Sequence, residues 1–223
     1  MDNNWYTESV VQVRKGAAKR GTQVRKKVAL HSREVRDMIK LVEETEPDIA
    51  AIMAIARLYM LRVPSEGLPL QWHGAHSKIE VQANSARITL AKRKNHRAPI
   101  DLVRECCCST SGRALCAVHW LQQLRERDVG ATGLFDVPLH RFRAKIKELA
   151  QQVGVTDWAH VGTHSFRRGM AQDIVDTGSP LSVLLRAGGW SSSAYLEYLR
   201  EGQCSEAAAG QAVIWMSDSD ADC

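Results

Sequence analysis

The stretch THSFRRGMAQD, which begins at Thr163, places an imidazole and a guanidinium three residues apart in a segment with helical character. Side chains at this spacing are neighbours on a helix, so His164 and Arg167 can reach one common object. A phosphate group suits both, because each can donate charge-assisted hydrogen bonds to its oxygens. Since many surface helices carry such a pair without a function, the pair indicates a site only if other residues accompany it.

Two further stretches of the sequence contain such accompanying residues. YMLRVPSEGLPLQW contains Arg62 after an apolar segment, and RAGGWSSSAYLEYLR contains Trp190 and Tyr198. Together with THSFRRG, and in the same order, they resemble the tyrosine recombinase (phage integrase) family, in which an arginine, an HxxR pair, a His or Trp and a nucleophilic tyrosine follow one another. The resemblance spans about residues 25 to 216, and its GGW…Y form is most similar to Cre-type and eukaryotic Crypton-like and DIRS-like transposon recombinases.

The resemblance implies a set of catalytic residues for DNA strand cleavage. This set is Arg62, Lys94, His164, Arg167, Trp190 and Tyr198. Two guanidiniums offer planar forks to the non-bridging oxygens of a phosphodiester, whose negative charge grows in the transition state. A tyrosine hydroxyl, with an ordinary pKa of about 10, needs a base such as the imidazole. The indole can only donate a hydrogen bond, so it either holds the phosphate or packs against the tyrosine helix.

The proton for the leaving 5′ oxygen comes, by the same resemblance, from a lysine between the second and third strands. ITLAKRKNHRAP offers Lys94 at the end of the second strand, with Lys92 as the alternative on the same face. Glu66 matches the acidic position of the family, where it would orient Arg62. Its offset from that arginine is one residue longer than the usual one, which is a departure from the family pattern.

Two tyrosines compete for the role of nucleophile. Tyr198 follows Trp190 by eight residues, close to the nine that are usual in members with a histidine there, and it precedes Leu199-Arg200, which is similar to the family's Y-I-R. Tyr195 is the alternative, and otherwise packs in the core on a neighbouring face.

Four cysteines and a histidine cluster in ECCCSTSGRALCAVH. Cys106, Cys108, Cys116 and His119 form a candidate structural zinc site, with Cys107 as the alternative to Cys106. Because the run of three cysteines lacks the usual CxxC knuckle, a cluster of reduced thiols at a strand-to-helix corner is the competing interpretation. No other cofactor is expected.

The elements that must position these residues are mostly helices. Apolar periodicity and capping residues predict helices in VRDMIKLVEE, in PDIAAIMAIARLYML up to Arg62, and in five segments after residue 113. SKIEVQA, ARITLAKRK and RAPIDL predict a small three-stranded antiparallel sheet. The expected fold class is therefore α+β and mostly helical, and the resemblance implies the catalytic-domain fold of the DNA breaking-rejoining enzymes.

The domain boundaries follow from charge and apolar pattern. Residues 1–24 predict a basic arm, since seven basic residues and no acid lie between Arg14 and Lys27; such an arm contacts phosphates, acts as a nuclear import signal or is a solvated tether. Residues 25–202 match the catalytic domain, and 203–223 form a last helix and acidic tail that either docks into a neighbouring protomer or folds back. The arm is too short for the N-terminal helical domain usual in the family, so that domain is either missing from this chain or dispensed with.

Composition agrees with this assignment. The 223 residues carry a net charge of +5, which favours a polyanionic partner, and neither an export signal nor an apolar run of spanning length is present. An intracellular, soluble protein is expected, nuclear if the host is a eukaryote.

The sequence thus predicts a recombinase or integrase of mobile-element origin that cleaves and rejoins double-stranded DNA through a 3′-phosphotyrosyl intermediate. The resemblance implies a homotetramer on DNA, with a monomer as the alternative in its absence, and no membrane partner. Three alternatives stay open: an inactive, domesticated DNA-binding protein, a type IB topoisomerase-like relaxing enzyme, and a nuclear zinc-binding interaction module.

Overall fold

A computed structural model describes residues 28–94, 96, 98–127, 133–190 and 193–198. The arm of residues 1–24 and the C-terminal segment 203–223 therefore lie outside the described residues, as do Asn95 and Arg97 in the loop after the second strand.

The described residues form seven α-helices, three β-strands and several short helical turns. The α-helices are α1 Ser32–Val42, α2 Pro47–Leu58, α3 Cys108–Ser111, α4 Ala117–Arg127, α5 Leu139–Gln152, α6 His164–Asp176 and α7 Leu181–Gly188. The strands are β1 Ser77–Val81, β2 Ser85–Leu90 and β3 Ile100–Glu105. A π-helical turn covers Val63–Gly67, and 3₁₀ turns cover Arg113–Leu115, Trp158–His160 and Ser193–Tyr198.

The centre of the core is α2. It begins with Pro47 at its first position, where the missing N–H costs nothing, and every residue from Ile49 to Arg57 is buried. It packs against α1, α4 and α6. A helix that is apolar on all sides can only be stable when it is surrounded in this way, so α2 sets the positions of its three neighbours.

The end of α2 differs from the prediction. The apolar run predicts a helix up to Arg62, but α2 ends at Leu58 and Met60 adopts a left-handed conformation with φ of 50°. A non-glycine residue in this region is uncommon and costs free energy. The reversal turns the Met60 carbonyl away from the helix and leaves Arg62 in an extended conformation.

The sheet is antiparallel with the order β1-β2-β3. Ile79 pairs with Ile88 and Ile88 with Leu102, so these three apolar residues form a row across the sheet. All three side chains are buried. The row belongs to the same core as α2, so the sheet covers one side of the helical core.

A second, smaller core lies between α6, α7 and the final 3₁₀ turn. Ala171, Ile174 and Leu184 are buried there together with Met60 and Trp190. This satellite core connects the reversal after α2 to the segment that carries the tyrosines.

A close backbone approach fixes α6 against the chain that enters α1. The N–H of Leu30 donates to the Ser165 carbonyl at 3.1 Å. A Cβ at Gly169 would lie 1.7 Å from the Leu30 carbonyl oxygen, so only glycine fits at this position.

A buried polar network joins α1, α2 and α6. Arg57 is 4% exposed; it donates to the Leu30 carbonyl at 2.8 Å and binds the carboxylate of Asp173. Asp173 also accepts from the Ser32 hydroxyl at 2.7 Å and contacts His31 Nδ1 at 2.5 Å. Burial acts to raise the pKa of Asp173, but the hydrogen bond to His31 and the charge of Arg57 outweigh it and lower that pKa.

The predicted α+β, mostly helical fold with a three-stranded antiparallel sheet is confirmed. Among the described residues, no helix combines the length and the apolar character needed to cross a lipid bilayer.

Candidate active site

Arg62 lies just after the chain reversal at Met60, and Glu66 binds its guanidinium. Arg62 Nη1 lies 2.5 Å from Glu66 Oε1, and the backbone N–H of Arg62 donates to Glu66 Oε2 at 2.9 Å. The π-helical turn at Val63–Gly67 accommodates the extra residue between arginine and acid. Glu66 is buried and therefore fixes the direction of a partly exposed arginine.

Arg167 is fully buried on the first turn of α6. Its Nη2 donates to the Gly188 carbonyl at 2.5 Å, and its Nη1 donates to the Met60 carbonyl. Two chain reversals, one after α2 and one after α7, thus supply the acceptors that hold this guanidinium. The left-handed conformation of Met60 directs its carbonyl toward Arg167.

A third guanidinium, which the sequence analysis did not identify, shares this acceptor. Arg93 is 1% exposed, and its Nη2 donates to the Met60 carbonyl at 3.1 Å. Its Nε lies 3.8 Å from Glu66 Oε1, which is too long for a hydrogen bond. Arg62, Arg93 and Arg167 therefore converge around one carboxylate and one carbonyl.

Several N–H groups of this cluster have no acceptor within the described part of the chain. They are Nε and Nη1 of Arg93 and Nε of Arg167. A buried donor without a partner costs about 1–3 kcal/mol, and more for a charged group. Among the described residues, Glu66 is the one carboxylate within ion-pair distance of these guanidiniums, so two of the three positive charges have no counter-charge there. The cluster is therefore built for an anion with several acceptor oxygens.

The pKa of Arg167 is lowered by its burial and by the two neighbouring cations. Burial, together with the positive charges of Arg93 and Arg62, lowers the pKa of Arg167 to about 10. Burial likewise lowers the pKa of Arg93. A bound anion would oppose both effects by favouring the charged forms.

Tyr198 lies beside the cluster at the end of the last 3₁₀ turn. Its ring centroid is 5.0 Å from that of Trp190 and 6.5 Å from that of His164. The guanidinium carbon of Arg167 is 4.5 Å from the Trp190 ring centroid and 5.5 Å from that of Tyr198. Gln172 Nε2 donates to the Tyr198 carbonyl at 3.1 Å, which ties the tyrosine turn to α6.

The Tyr198 ring lies near both His164 and Arg167, whereas their common contact with a phosphate stays a prediction. The two side chains are nevertheless in different environments, since Arg167 is buried and His164 is exposed. Arg168, the next residue of α6, donates to the Glu197 carbonyl, and its guanidinium carbon is 5.8 Å from the Tyr198 ring centroid.

Glycines allow the chain to pass this close to the arginines. Gly189 adopts φ of 61°, and a Cβ there would lie 3.0 Å from Arg93 Nη1. A Cβ at Gly188 would lie 2.0 Å from the Trp190 ring. The GGW sequence therefore positions both the indole and the backbone against the buried guanidiniums.

The remaining predicted residues lie at the margin of this cluster. Lys92 and Lys94 are both exposed, on either side of the buried Arg93. Tyr195 is half-buried and packs in the satellite core with Trp190. The structure thus brings Arg62, His164, Arg167, Trp190 and Tyr198 together, and it leaves the choice between the two lysines open.

Arg93 was not predicted as a site residue because the alternation of buried and exposed side chains was extended beyond the end of β2. In β2 the buried side chains are Ala86, Ile88 and Leu90, which would continue to Lys92 and Lys94. The strand ends at Leu90, and the N–H of Ala91 donates to the His76 carbonyl at 3.0 Å. This bend turns the next arginine inward, and a single sequence carries no signal for it.

The predicted zinc ligands are only partly brought together. The sulfurs of Cys106, Cys108 and Cys116 lie within 4.8 Å of one another, whereas His119 is not part of this group. His119 instead lines an open surface cavity together with Arg113 and Glu126. His119 is therefore not brought together with the three sulfurs, and its role as a zinc ligand stays a prediction.

Comparison of the fold with solved structures gives consistent neighbours. XerH site-specific recombinase bound to difH substrate, in a pre-cleavage complex, matches 77% of this chain at 14% identity with a TM-score of 0.56. The post-cleavage complex of XerH with palindromic difH substrate matches 87% of this chain at 13% identity with a TM-score of 0.59. XerA recombinase matches 82% of this chain at 17% identity with a TM-score of 0.54.

The chain has the tyrosine-recombinase fold. It spans 49%, 56% and 65% of the length of those three chains. No family model and no curated protein matches the sequence. The closeness to Cre-type or Crypton-like members that the sequence suggests is not confirmed by these neighbours.

The arrangement defines what the site can do chemically. A tetrahedral anion that enters the cluster would meet unpaired N–H donors from two buried arginines and the fork of Arg62. A phenol and an imidazole stand at its edge. These groups suffice for nucleophilic attack on a phosphodiester with proton transfer by side chains.

Proposed function

We propose that this chain is a DNA strand transferase that uses Tyr198 as nucleophile. The observation that carries the proposal is the convergence of Arg62, Arg93 and Arg167 beside the Tyr198 ring, with buried N–H groups that have no acceptor within the described residues. The two uncompensated positive charges of the cluster complement the charge that a phosphodiester develops under attack.

In the proposed reaction, side chains of this protein accept and supply the transferred protons. The Tyr198 hydroxyl oxygen attacks the phosphorus, His164 receives its proton, and the bond from phosphorus to the 5′ oxygen breaks. Lys94, or Lys92, protonates the leaving oxygen. The product is a 3′-phosphotyrosyl ester and a free 5′-hydroxyl end, and attack by the 5′-hydroxyl of a second strand reverses the step.

This chemistry requires neither a nucleotide cofactor nor a catalytic metal. The phosphotyrosyl ester conserves the energy of the broken bond, and the guanidiniums supply the positive charge that a metal supplies in other phosphoryl-transfer enzymes. Glu66 and the Met60 carbonyl hold the guanidiniums before DNA binds, so little reorganisation is needed.

Double-stranded DNA is the proposed partner. Two structural neighbours are XerH site-specific recombinase bound to difH substrate, one in a pre-cleavage and one in a post-cleavage complex. We extend the proposal to a tetramer on two duplexes and to a mobile-element origin, with a nuclear site of action in a eukaryotic host. These extensions rest on the sequence resemblance alone.

The proposal is tested by trapping the covalent intermediate. Duplexes with a randomised central segment and a single nick lose a short 5′-hydroxyl fragment after cleavage, so the phosphotyrosyl ester cannot be resealed. The full chain should give a protein–DNA adduct that survives denaturing electrophoresis. Tyr198→Phe should give none, and Tyr195→Phe serves as the matched control that retains the adduct.

Two results would argue against the proposal. An adduct formed equally by Tyr198→Phe would remove the assigned nucleophile. The absence of any adduct from the whole pool, with DNA binding intact, would favour the inactive DNA-binding alternative. Relaxation of a supercoiled plasmid without strand exchange would instead indicate the topoisomerase-like alternative, which keeps the same covalent step.

A further inference from the structure

Three cysteine sulfurs meet at the corner between β3 and α4. Cys106 directly follows β3 and is exposed, Cys108 begins α3, and Cys116 is buried immediately before α4. The three sulfurs lie within 4.8 Å of one another, although they come from two segments separated by a glycine-containing turn. The proposed strand transfer uses none of these residues.

The spacing of the sulfurs excludes a disulfide bond between them. The Cys106 and Cys116 sulfurs are 3.7 Å apart. A disulfide requires about 2.05 Å between its sulfurs. Two thiolates bound to one tetrahedral Zn²⁺, each about 2.3 Å from the metal, lie about 3.8 Å apart. The observed distance excludes a disulfide, and it fits both a thiol–thiol hydrogen bond and the edge of a zinc tetrahedron.

The surroundings of Cys116 also suit a metal-bound thiolate. The backbone N–H groups of His119 and Cys107 lie within hydrogen-bonding reach of its sulfur. Such contacts from the backbone stabilise a negatively charged sulfur and orient it toward the ion.

We propose that Cys106, Cys108 and Cys116 bind one Zn²⁺, with a water molecule in the fourth position. Cys107 and His119 lie outside the group of mutually close ligand atoms and are not ligands. Thiolate sulfur is a soft ligand that selects zinc over magnesium or calcium.

The ion would join two separate segments of the chain. β3 ends at Glu105 and α4 begins at Ala117, so the site would fasten the last strand of the sheet to a core helix. The loop between β2 and β3 carries Lys92, Arg93 and Lys94. A zinc ion at this corner would therefore hold in place the sheet that presents these cations to the active site.

The test is metal analysis of the full chain, produced with added zinc and purified with a reducing agent and no chelator. We expect one equivalent of zinc per chain by mass spectrometry. Cys106→Ser should lower zinc retention in a chelator competition by about tenfold or more, since changes in the second shell alone have effects of this size. Cys106 is exposed, so this variant removes a ligand without opening a cavity in the core.

Two control variants make the ligand set falsifiable. Cys107→Ser and His119→Ala should retain zinc like the wild type. Substitution of Co²⁺ should give a sulfur-to-metal charge-transfer band in the wild type and in Cys107→Ser, and a much weaker one in Cys108→Ser. Chelation should lower the melting temperature of the wild type and leave that of Cys106→Ser unchanged.

Several outcomes would overturn the inference. They are a zinc content below about a tenth of an equivalent after supplementation, copper or iron in place of zinc, and a Cys106–Cys116 disulfide in the purified reduced protein. Loss of zinc in Cys107→Ser to the same extent as in Cys106→Ser would also refute the proposed ligands. None of these outcomes bears on the phosphotyrosyl adduct, so the two proposals can fail separately.

Discussion

Arg93 places a positive charge in the interior beside two other guanidiniums. Its side chain is 1% exposed, and two of its N–H donors have no acceptor within the described residues. A cation buried beside like charges destabilises a folded protein unless a counter-charge binds it. We interpret Arg93 as a third phosphate ligand whose unfavourable environment is relieved when an anion binds.

Arg93→Met should therefore separate stability from anion binding. Without an anion, we expect the variant to be at least as stable as the wild type, because methionine fills a similar volume without a buried charge. Added sulfate should raise the melting temperature of the wild type by mass action and should have a clearly smaller effect on the variant. Thermal unfolding with and without sulfate measures both effects.

Arg125→Met is the matched control for this comparison. Arg125 is an exposed cation on α4 that donates to the Val81 carbonyl. Its loss should leave the sulfate effect unchanged. Equal stabilisation of Arg93→Met and wild type by sulfate would contradict the assignment of Arg93 to the anion site.

Individual residues were predictable from the sequence to different degrees. His164, Arg167, Trp190 and Tyr198 come together because short motifs fix their local spacing and their helices pack on one core. Arg93 was not predictable, since its direction depends on where β2 bends away from regular alternation.

At the scale of elements, the network around Asp173 fixes α6 to α1 and α2. Asp173 is the only carboxylate that binds Arg57 among the described residues, and Arg57 is almost fully buried. Removal of one partner of a buried pair leaves the other charge uncompensated, which is strongly destabilising. Since α6 also carries His164 and Arg167, this network indirectly positions the helix that bears two of the proposed catalytic residues.

We expect Asp173→Asn to destabilise the protein by about 3 kcal/mol at neutral pH. The pKa of Asp173 is lower in the folded state than its ordinary value, so its stabilising contribution is present above about pH 3.9 and is lost as the pH falls through the folded-state pKa. The difference from the wild type should therefore shrink below about pH 4. Urea unfolding at neutral and at acidic pH measures this change.

Glu148→Gln provides the comparison on an exposed helix face. Glu148 pairs with Lys145 on α5 at 3.0 Å, and a surface pair of this kind contributes at most about 1 kcal/mol. A loss in Asp173→Asn no greater than in Glu148→Gln, or a gap that widens in acid, would contradict the role assigned to the network.

The elements themselves were largely predictable, but their ends were not. Apolar periodicity identified α2, α5 and α6, and alternation identified the three strands. The end of α2 was missed because its apolar run continues beyond Leu58, while the left-handed Met60 is set by the arginines packed around its carbonyl. Local propensity does not record such tertiary contacts.

At the scale of the whole molecule, the basic character of the chain is unevenly distributed. α5 carries Arg141 and Lys145, yet both form ion pairs with Glu46, at 2.7 and 3.0 Å. This helix is therefore partly neutralised within the protein. The segment 14–27 contains seven basic residues and no acidic residue. The sequence therefore makes that segment the stronger candidate for phosphate contacts.

We expect DNA binding by the full chain to depend steeply on salt. Replacement of Arg14, Lys15, Lys19 and Arg20 by glutamine should reduce the slope of log affinity against log salt by roughly 2 to 4, since each lost phosphate contact removes about 0.9. Equilibrium binding to one duplex at several salt concentrations gives the slope.

The paired substitution Arg141→Gln and Lys145→Gln should change the slope less for each charge removed, because both residues already bind Glu46. A larger change for this pair than for the basic segment would assign the DNA-binding surface to α5 instead.

The central claim is that the buried arginines activate a DNA phosphate toward Tyr198, and the most direct measurement is the identity of the residue that carries the DNA. After trapping, nuclease digestion and trypsin cleavage at Arg186 and Arg200, one peptide contains both Tyr195 and Tyr198. Fragmentation of this peptide by mass spectrometry assigns the attached nucleotide. We expect it on the Tyr198 oxygen; a nucleotide on Tyr195, or a covalent link outside this peptide, would contradict the claim.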